Sequence, residues 1–238
     1  TGSWAEHANI PIHIPGSIQQ ALKHAGIIED WNIGLNHTQI EWIENRHWLI
    51  GAKVPDEWFS IHPDEQIFIE CKGLDQQGIL MVNGQEAGRF KNTFIPYKFL
   101  ISPFLKERNN NIFFLFETPP ENLAQIGWTS KIKDWKPRFY YGWDWIPRIL
   151  QTGIWDRVLI HRVNNSQPMF ENLRVVTSAD KLKELGSLSI AATPNRYALP
   201  QRIQVRLTDE EGNSVFGETF PAVEAVNGKC WNNLTVKR

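Results

Sequence analysis

At 238 residues, 42% of them hydrophobic, the chain is long enough for one large or two modest globular domains with an ordinary core. A formal net charge of −1 with both signs scattered throughout leaves no basic stripe for nucleic acid and no polybasic membrane anchor. No apolar run reaches the length of a membrane span, so neither nucleic acid nor membrane is an expected partner.

The first residues, Thr1-Gly2-Ser3-Trp4, show neither a basic start nor an apolar secretion segment. The compartment stays open, since removal of a targeting segment is compatible with a periplasmic, extracellular or lysosomal site. Ser17 reads as a helix N-cap with Gln20 as its capping-box partner, Ile18, Ala21, Leu22 and Ala25 share one face, and Gly26 ends the helix. From Trp42 the pattern switches to short strands, predicted at 47–54, 66–72, 78–82, 94–101, 111–117 and 153–162. Pro63-Asp64, Asn83-Gly84, Asn109-Asn110 and Pro119-Pro120 mark the turns, and Asn83-Gly84 is the sharpest hairpin signal. The irregular run from Pro119 to Arg138 reads as a long loop, either functional or a cover for the sandwich edge.

Asn164-Asn165-Ser166-Gln167-Pro168 reads as a domain boundary, giving domains at 1–163 and 164–238. Beyond it strands are predicted at 173–177, 188–192, 202–208, 215–220 and 234–236, with a solvated hairpin turn at Asp209 to Asn213. Many short strands beside one small helix predict an all-β sandwich. An immunoglobulin-like sandwich needs about seven strands. The second domain falls one or two short, and the sequence reads as part of a longer protein with an unpaired strand edge.

Cys71 and Cys230 lie far apart in sequence, and the seven histidines have no metal-ligand spacing, so neither a disulfide nor a metal or other cofactor is expected. Asn36, Asn164 and Asn233 fit the glycosylation acceptor pattern. Acidic pairs such as Asp56-Glu57 and Glu210-Glu211 sit in predicted turns, and there is neither a nucleophile elbow nor a phosphate-cradling glycine loop.

The densest stretch is Phe139-Tyr140-Tyr141-Gly142-Trp143-Asp144-Trp145-Ile146-Pro147-Arg148, followed by Gly153-Ile154-Trp155. It carries three of the eleven tryptophans and a lone acid between two indoles. A backbone bend between Gly142 and Pro147 would let Trp143, Asp144 and Trp145 line one concave rim suited to a sugar. Indole faces pack on the apolar side of a pyranose, and a carboxylate accepts from neighbouring hydroxyls. The competing reading puts both indoles in a sandwich core and pairs Asp144 with Arg138 or Arg148.

Gly142-Trp143-Asp144-Trp145 with Pro147-Arg148 and Gly153-Ile154-Trp155 resembles the end of the amino-terminal domain of the β-mannosidase branch of glycoside hydrolase family 2. Earlier landmarks stand in the same order: Ile14-Pro15-Gly16-Ser17, Ile28 to Asn36, Gly73-Leu74-Asp75, Val82-Asn83-Gly84 with Gly88, and Asn92 to Tyr97. The resemblance covers about residues 4 to 163. It implies a galactose-binding-type jelly roll that has lost its first strand, followed by a truncated immunoglobulin-like sandwich. It further implies Asp144 as acceptor for sugar hydroxyls, Trp143 and Trp145 as flanking walls, Gly142 and Pro147 as shapers of the turn, and Trp155 packed inside.

The sequence departs from the family at His37, where an acid is usual, and at Lys136-Pro137-Arg138, where Arg-Lys is usual. In the family the two catalytic carboxyls lie on a later barrel, for which no strand–helix alternation occurs here, so no catalytic residue is expected in this chain. The implied role is the non-catalytic front of an exo-acting β-mannosidase, supporting that barrel and lending Trp-Asp-Trp to its pocket. The implied partners are a carbohydrate, a terminal β-mannoside, and the barrel itself. A free-standing carbohydrate-binding module and a purely structural sandwich are the alternatives.

Overall fold

The computed structural model describes residues 9–59, 62–123, 128–164, 170–180, 182, 185–194, 202–221 and 230–237. Trp4, where the resemblance begins, lies outside them. The chain separates into two compact units, 1–162 and 163–238.

Among its described residues the first unit has one α-helix, α1 (Ile18–His24), and the strands β1 (Gly16–Ser17), β2 (Trp48–Lys53), β3 (Glu65–Cys71), β4 (Leu74–Asp75), β5 (Gln77–Val82), β6 (Gln85–Lys91), β7 (Tyr97–Leu100), β8 (Asn111–Phe116), β9 (Gly153–Ile154) and β10 (Val158–Asn164), the last running two residues past the unit's end. They form a four-stranded sheet in the order β2-β8-β5-β6, a three-stranded sheet β10-β3-β7, and a short one, β1-β9-β4. The four-stranded sheet is antiparallel throughout, with Ile50 opposite Phe114 and Leu80 opposite both Phe114 and Gly88.

Alternation builds the core. Ile67, Ile69 and Cys71 of β3, Leu80 and Val82 of β5, and Ile112, Phe114 and Phe116 of β8 are all buried, every second residue on each strand. At about 1.5–3 kcal/mol for each large aliphatic or phenyl group removed from water, this layer dominates the unit's stability. Phe90 meets Phe116 edge-on at 5.3 Å, and Ile18 and Leu22 of α1 join the same cluster.

Local chemistry fixes the connections. The Ser17 hydroxyl accepts from Gln20 N, and the Gln20 side chain accepts from Ser17 N, completing the capping box. At the other end Gly26 N donates to Lys23 O and Ile27 N to Leu22 O, while Gly26 takes φ +69°, a value that favours glycine. Asn83 and Gly84 both adopt positive φ in the tight turn between β5 and β6. Asn110, fully buried, accepts from Asn83 Nδ2 and Lys106 N and donates to Lys106 O, tying two turns together.

Several elements differ from the sequence reading. Residues 36–45 form a 3₁₀ run, Asn36–Asn45, for which no element was predicted, and the strand pattern placed from Trp42 begins only at Trp48. β6 had no predicted strand, the predicted strand 94–101 shrinks to Tyr97–Leu100, and 153–162 splits into β9 and β10 around Trp155 to Arg157.

In the second unit β11 (Phe170–Asp180), β12 (Leu185–Pro194) and β15 (Cys230–Lys237) make an antiparallel sheet with β12 central. Strands β13 (Arg202–Thr208) and β14 (Ser214–Pro221) form a hairpin closed by Asp209, whose carboxylate accepts from Glu211 N and Asn213 N. Leu188 and Val205 are its buried centre, with Ile190, Ile203, Leu207 and Phe216 against them. Leu173, Val175 and Val176 of β11 remain exposed. The fold of the chain is all-β.

Candidate functional site: an exposed Trp-Asp-Trp turn

The segment leading to Trp143 is anchored by a charge the sequence did not flag. Lys136 is buried, its Nζ lies 2.6 Å from Asp75 Oδ1, and it also donates to Gln151 O at 2.5 Å. Thr93 Oγ1 donates to the same Asp75 oxygen at 2.8 Å. Burial pushes the Lys136 pKa down, against the opposing pull of Asp75. Lysines are mostly exposed, so only the neighbouring Pro137 and the Gly73-Leu74-Asp75 landmark hinted at an ordered site here.

After this anchor a short 3₁₀ turn, Arg138–Tyr141, ends at Gly142, which takes φ +104°. A side chain at that φ would be strained, so glycine redirects the chain. Trp143 N then donates to Ile146 O at 3.0 Å and Ile146 N to Trp143 O at 3.2 Å, closing a tight turn around Asp144 and Trp145. Pro147 follows the turn, and Ile149 N donates to Tyr140 O at 2.8 Å. Tyr141 is buried and donates to Pro120 O at 2.7 Å. Arg148 holds the far shoulder by donating from Nε and one terminal nitrogen to Glu44 Oε1 at 3.0 and 2.6 Å, and to Glu121 O.

Trp143 and Trp145 are 58% and 75% exposed, and Asp144 is exposed between them. Neither indole fills the core. Trp143 meets Phe139 edge-on at 5.7 Å. Asp144 forms no hydrogen bond or ion pair with another described residue, and Arg148 is committed to Glu44. The turn therefore presents two apolar faces and an uncommitted acceptor to the surroundings.

Trp155 is a correction. Rather than packing inside, its indole is 49% exposed and lies flat across Gly73, where a Cβ would come within 2.3 Å of the ring. Its Nε1 donates to Thr93 O at 3.2 Å, which fixes the ring's orientation. The polar strand end, Trp155-Asp156-Arg157, could have signalled a surface residue.

Among the described residues no group of three or more His, Cys, Asp or Glu side chains is placed to hold a metal ion. No helix among the described residues is long and apolar enough to cross a membrane. Cys71 is a free, buried thiol whose pKa burial and the Glu70 charge push up to about 12.

Comparison with known proteins agrees with this architecture. The model of the "Glycosyl hydrolase 2 galactose-binding domain-like" family matches residues 2–156. Beta-mannosidase B of Thermothelomyces thermophilus is 23% identical over 232 residues, 91% of this chain and 26% of its own. Beta-mannosidase of Bos taurus is 26% identical over 191 residues, 68% of this chain and 21% of its own. A crystal structure of beta-D-mannosidase from Dictyoglomus thermophilum superposes with a TM-score of 0.73 at 20% identity, over 95% of this chain and 29% of that one. The chain thus spans about a quarter of the length of the relatives it matches. A beta-glucuronidase of Bifidobacterium dentium shares the fold at a TM-score of 0.56 and 11% identity, over 80% of this chain and 33% of its own. With well over half of its length matched by the family model, the chain belongs to the galactose-binding-like domain family of glycosyl hydrolase family 2.

Proposed function

We propose that this chain is a non-catalytic part of an exo-acting β-mannosidase of family 2, in which the sandwich of residues 1–163 supports a catalytic barrel and the Trp143-Asp144-Trp145 turn forms one lip of the sugar pocket. Residues 164–238 act in this reading as an immunoglobulin-like spacer towards the barrel. The carrying observation is the pair of exposed indoles flanking an uncommitted carboxylate on a turn closed by two hydrogen bonds. Indoles are large apolar surfaces, and leaving two of them in water on a pinned turn forgoes burial that a purely structural sandwich would use. A pyranose supplies what the turn lacks: C–H faces for the indoles and hydroxyl donors for Asp144. Catalysis itself needs two carboxyls about 5 Å apart across the glycosidic bond, and these belong to the barrel.

The test is Asp144→Ala in the enzyme that carries this chain, assayed on 4-nitrophenyl β-D-mannoside. A hydrogen bond to a charged group is worth about 1.5–3 kcal/mol, so kcat/KM is expected to fall roughly 10- to 150-fold. The melting temperature of the 238-residue chain should move by no more than about 2 °C. Full activity with a marked loss of stability would make Asp144 a structural residue and overturn the reading.

A further inference from the structure

A cavity of about 280 Å³ opens in the first unit beside the short β1-β9-β4 sheet, lined by Asp75, Tyr140, Thr152, Gly153, Trp155 and the Pro15 to Gln20 segment. None of Trp143, Asp144 and Trp145 lines it. Its size lies just under the ~300 Å³ at which small-molecule sites begin, which limits an occupant to about one sugar ring.

Two polar groups on its wall have no partner. Asp75 is 4% exposed, and its Oδ1 takes both the Lys136 and the Thr93 hydrogen bonds. Asp75 Oδ2 and the Tyr140 hydroxyl accept and donate nothing among the described residues. Asp75 Oδ2 is open to the cavity rather than sealed in the core, so a hydroxyl donor entering there can take the place of water on it. The charge of the site is already balanced, because Lys136 Nζ sits on Asp75 and 5.2 Å from the Tyr140 ring. A cationic ligand would meet that ammonium and an anionic one the open oxygen, which leaves neutral hydroxyl donors. Burial and the Asp75 charge both raise the Tyr140 pKa, keeping its phenol a proton donor. Trp155 adds to the lining a half-exposed indole that Gly73 and Thr93 hold in place.

We propose that this cavity is a second carbohydrate site, taking a single neutral pyranose or a smaller polyol. Its hydroxyls donate to Asp75 Oδ2 and accept from Tyr140, and its C–H face packs on Trp155. The proposal stands on the cavity and is independent of the role given to the Trp143–Trp145 turn.

The experiment is an NMR titration of the ¹⁵N-labelled 238-residue chain with D-mannose and with glycerol, following the Trp155 indole N–H. A saturable shift at that signal and at the amides of Thr152 and Gly153 is expected, with a dissociation constant between about 1 and 50 mM for mannose. Tyr140→Phe and Trp155→Phe should each weaken it about three- to tenfold, and Asp144→Ala should leave it unchanged. D-glucuronate, charged at ring size, should shift nothing there. Nuclear Overhauser contacts from mannose C–H protons to the Trp155 ring in the unsubstituted chain provide a readout that needs no variant. Linear shifts without saturation, shifts confined to Trp143 and Trp145, absence of those contacts, or equal binding of glucuronate would each overturn the proposal.

Discussion

Replacing Lys136 by Met would separate the anchor of the Trp143 turn from the turn itself. The side chains of Lys136 and Asp75 are 0% and 5% exposed, and their charged atoms lie 2.6 Å apart. Methionine keeps the length and removes the charge, which leaves the Asp75 carboxylate buried without its cation and the Gln151 carbonyl without its donor. Breaking a buried pair on one side costs about 3–5 kcal/mol. For a chain of this size each kcal/mol is worth roughly 2–4 °C, so the melting temperature should fall by about 6–20 °C.

The second variant carries the argument. Lys136→Met combined with Asp75→Asn removes both charges while the amide oxygen still accepts from Thr93, so at least about 2 kcal/mol should be regained. Urea unfolding at neutral pH followed by tryptophan fluorescence measures both, since ten of the eleven tryptophans precede residue 163 and report on the first unit. A single variant that loses under about 1 kcal/mol, or a double variant no better than the single, would show that the pair does not hold the segment.

Other outcomes follow from the same geometry. Glu70 accepts from Lys72, and its Oε2 lies 2.6 Å from His161 Nε2; burial works to raise its pKa, but these partners outweigh it and hold it below the usual carboxylate value. Stability from a depressed carboxylate is whole above the unfolded pKa of about 4.3 and is lost as pH falls through the folded value, so the urea-midpoint advantage over Glu70→Gln should be complete at about pH 6 and shrink below about pH 4. An advantage growing with acid would refute this. With Cys230→Ser removing the other thiol, Cys71 should resist a disulfide reagent at about pH 8 until the chain unfolds, and rapid labelling of the folded chain would contradict its burial. The 238-residue chain alone should release no nitrophenol from 4-nitrophenyl β-D-mannoside, and measurable turnover would place a catalytic pair within it.

The sequence was most legible where one residue type has one physical use. Ser17 with Gln20 reads as a capping box, Asn83-Gly84 as a primed turn, and the alternation of Ile203, Val205 and Leu207 with Gln204, Arg206 and Thr208 as a half-buried strand, and the structure has all three. Strand β6 escaped because Gln-Glu-Ala-Gly-Arg-Phe-Lys buries Phe90 alone, so an edge strand with a mostly solvated surface shows no hydrophobic period. The Asn36–Asn45 run escaped because its hydrophobic residues follow no clean period and its N-terminus has no side-chain cap. Trp155 was misplaced, and the burial of Lys136 was not read, for mirrored reasons. Composition places lysine outside and tryptophan inside, while an ion pair from one strand end and a glycine surface on another reverse both.

The buried Lys136 bears on how the Trp143 turn is held. Its near shoulder is fixed by Lys136 on Asp75, its far shoulder by Arg148 on Glu44, and the Tyr141 hydroxyl on Pro120 O pins the chain between them. Were residues 143–146 a loose loop, ordering four of them on contact with a sugar would cost about 1–2 kcal/mol each in backbone entropy. Two aromatic contacts at roughly 0.5–1.5 kcal/mol apiece could not offset that. Because the two Trp143–Ile146 hydrogen bonds and the three anchors impose the order during folding, the stacking and the Asp144 hydrogen bonds of the role proposed above would not have to offset it. Loosening one anchor should accordingly weaken sugar recognition without touching any group that meets the sugar. Arg148→Met tests this in the enzyme that carries the chain: a raised KM for the mannoside with kcat nearly kept is expected, and unchanged kinetics despite a lost Glu44 contact would show that the turn needs no bracing.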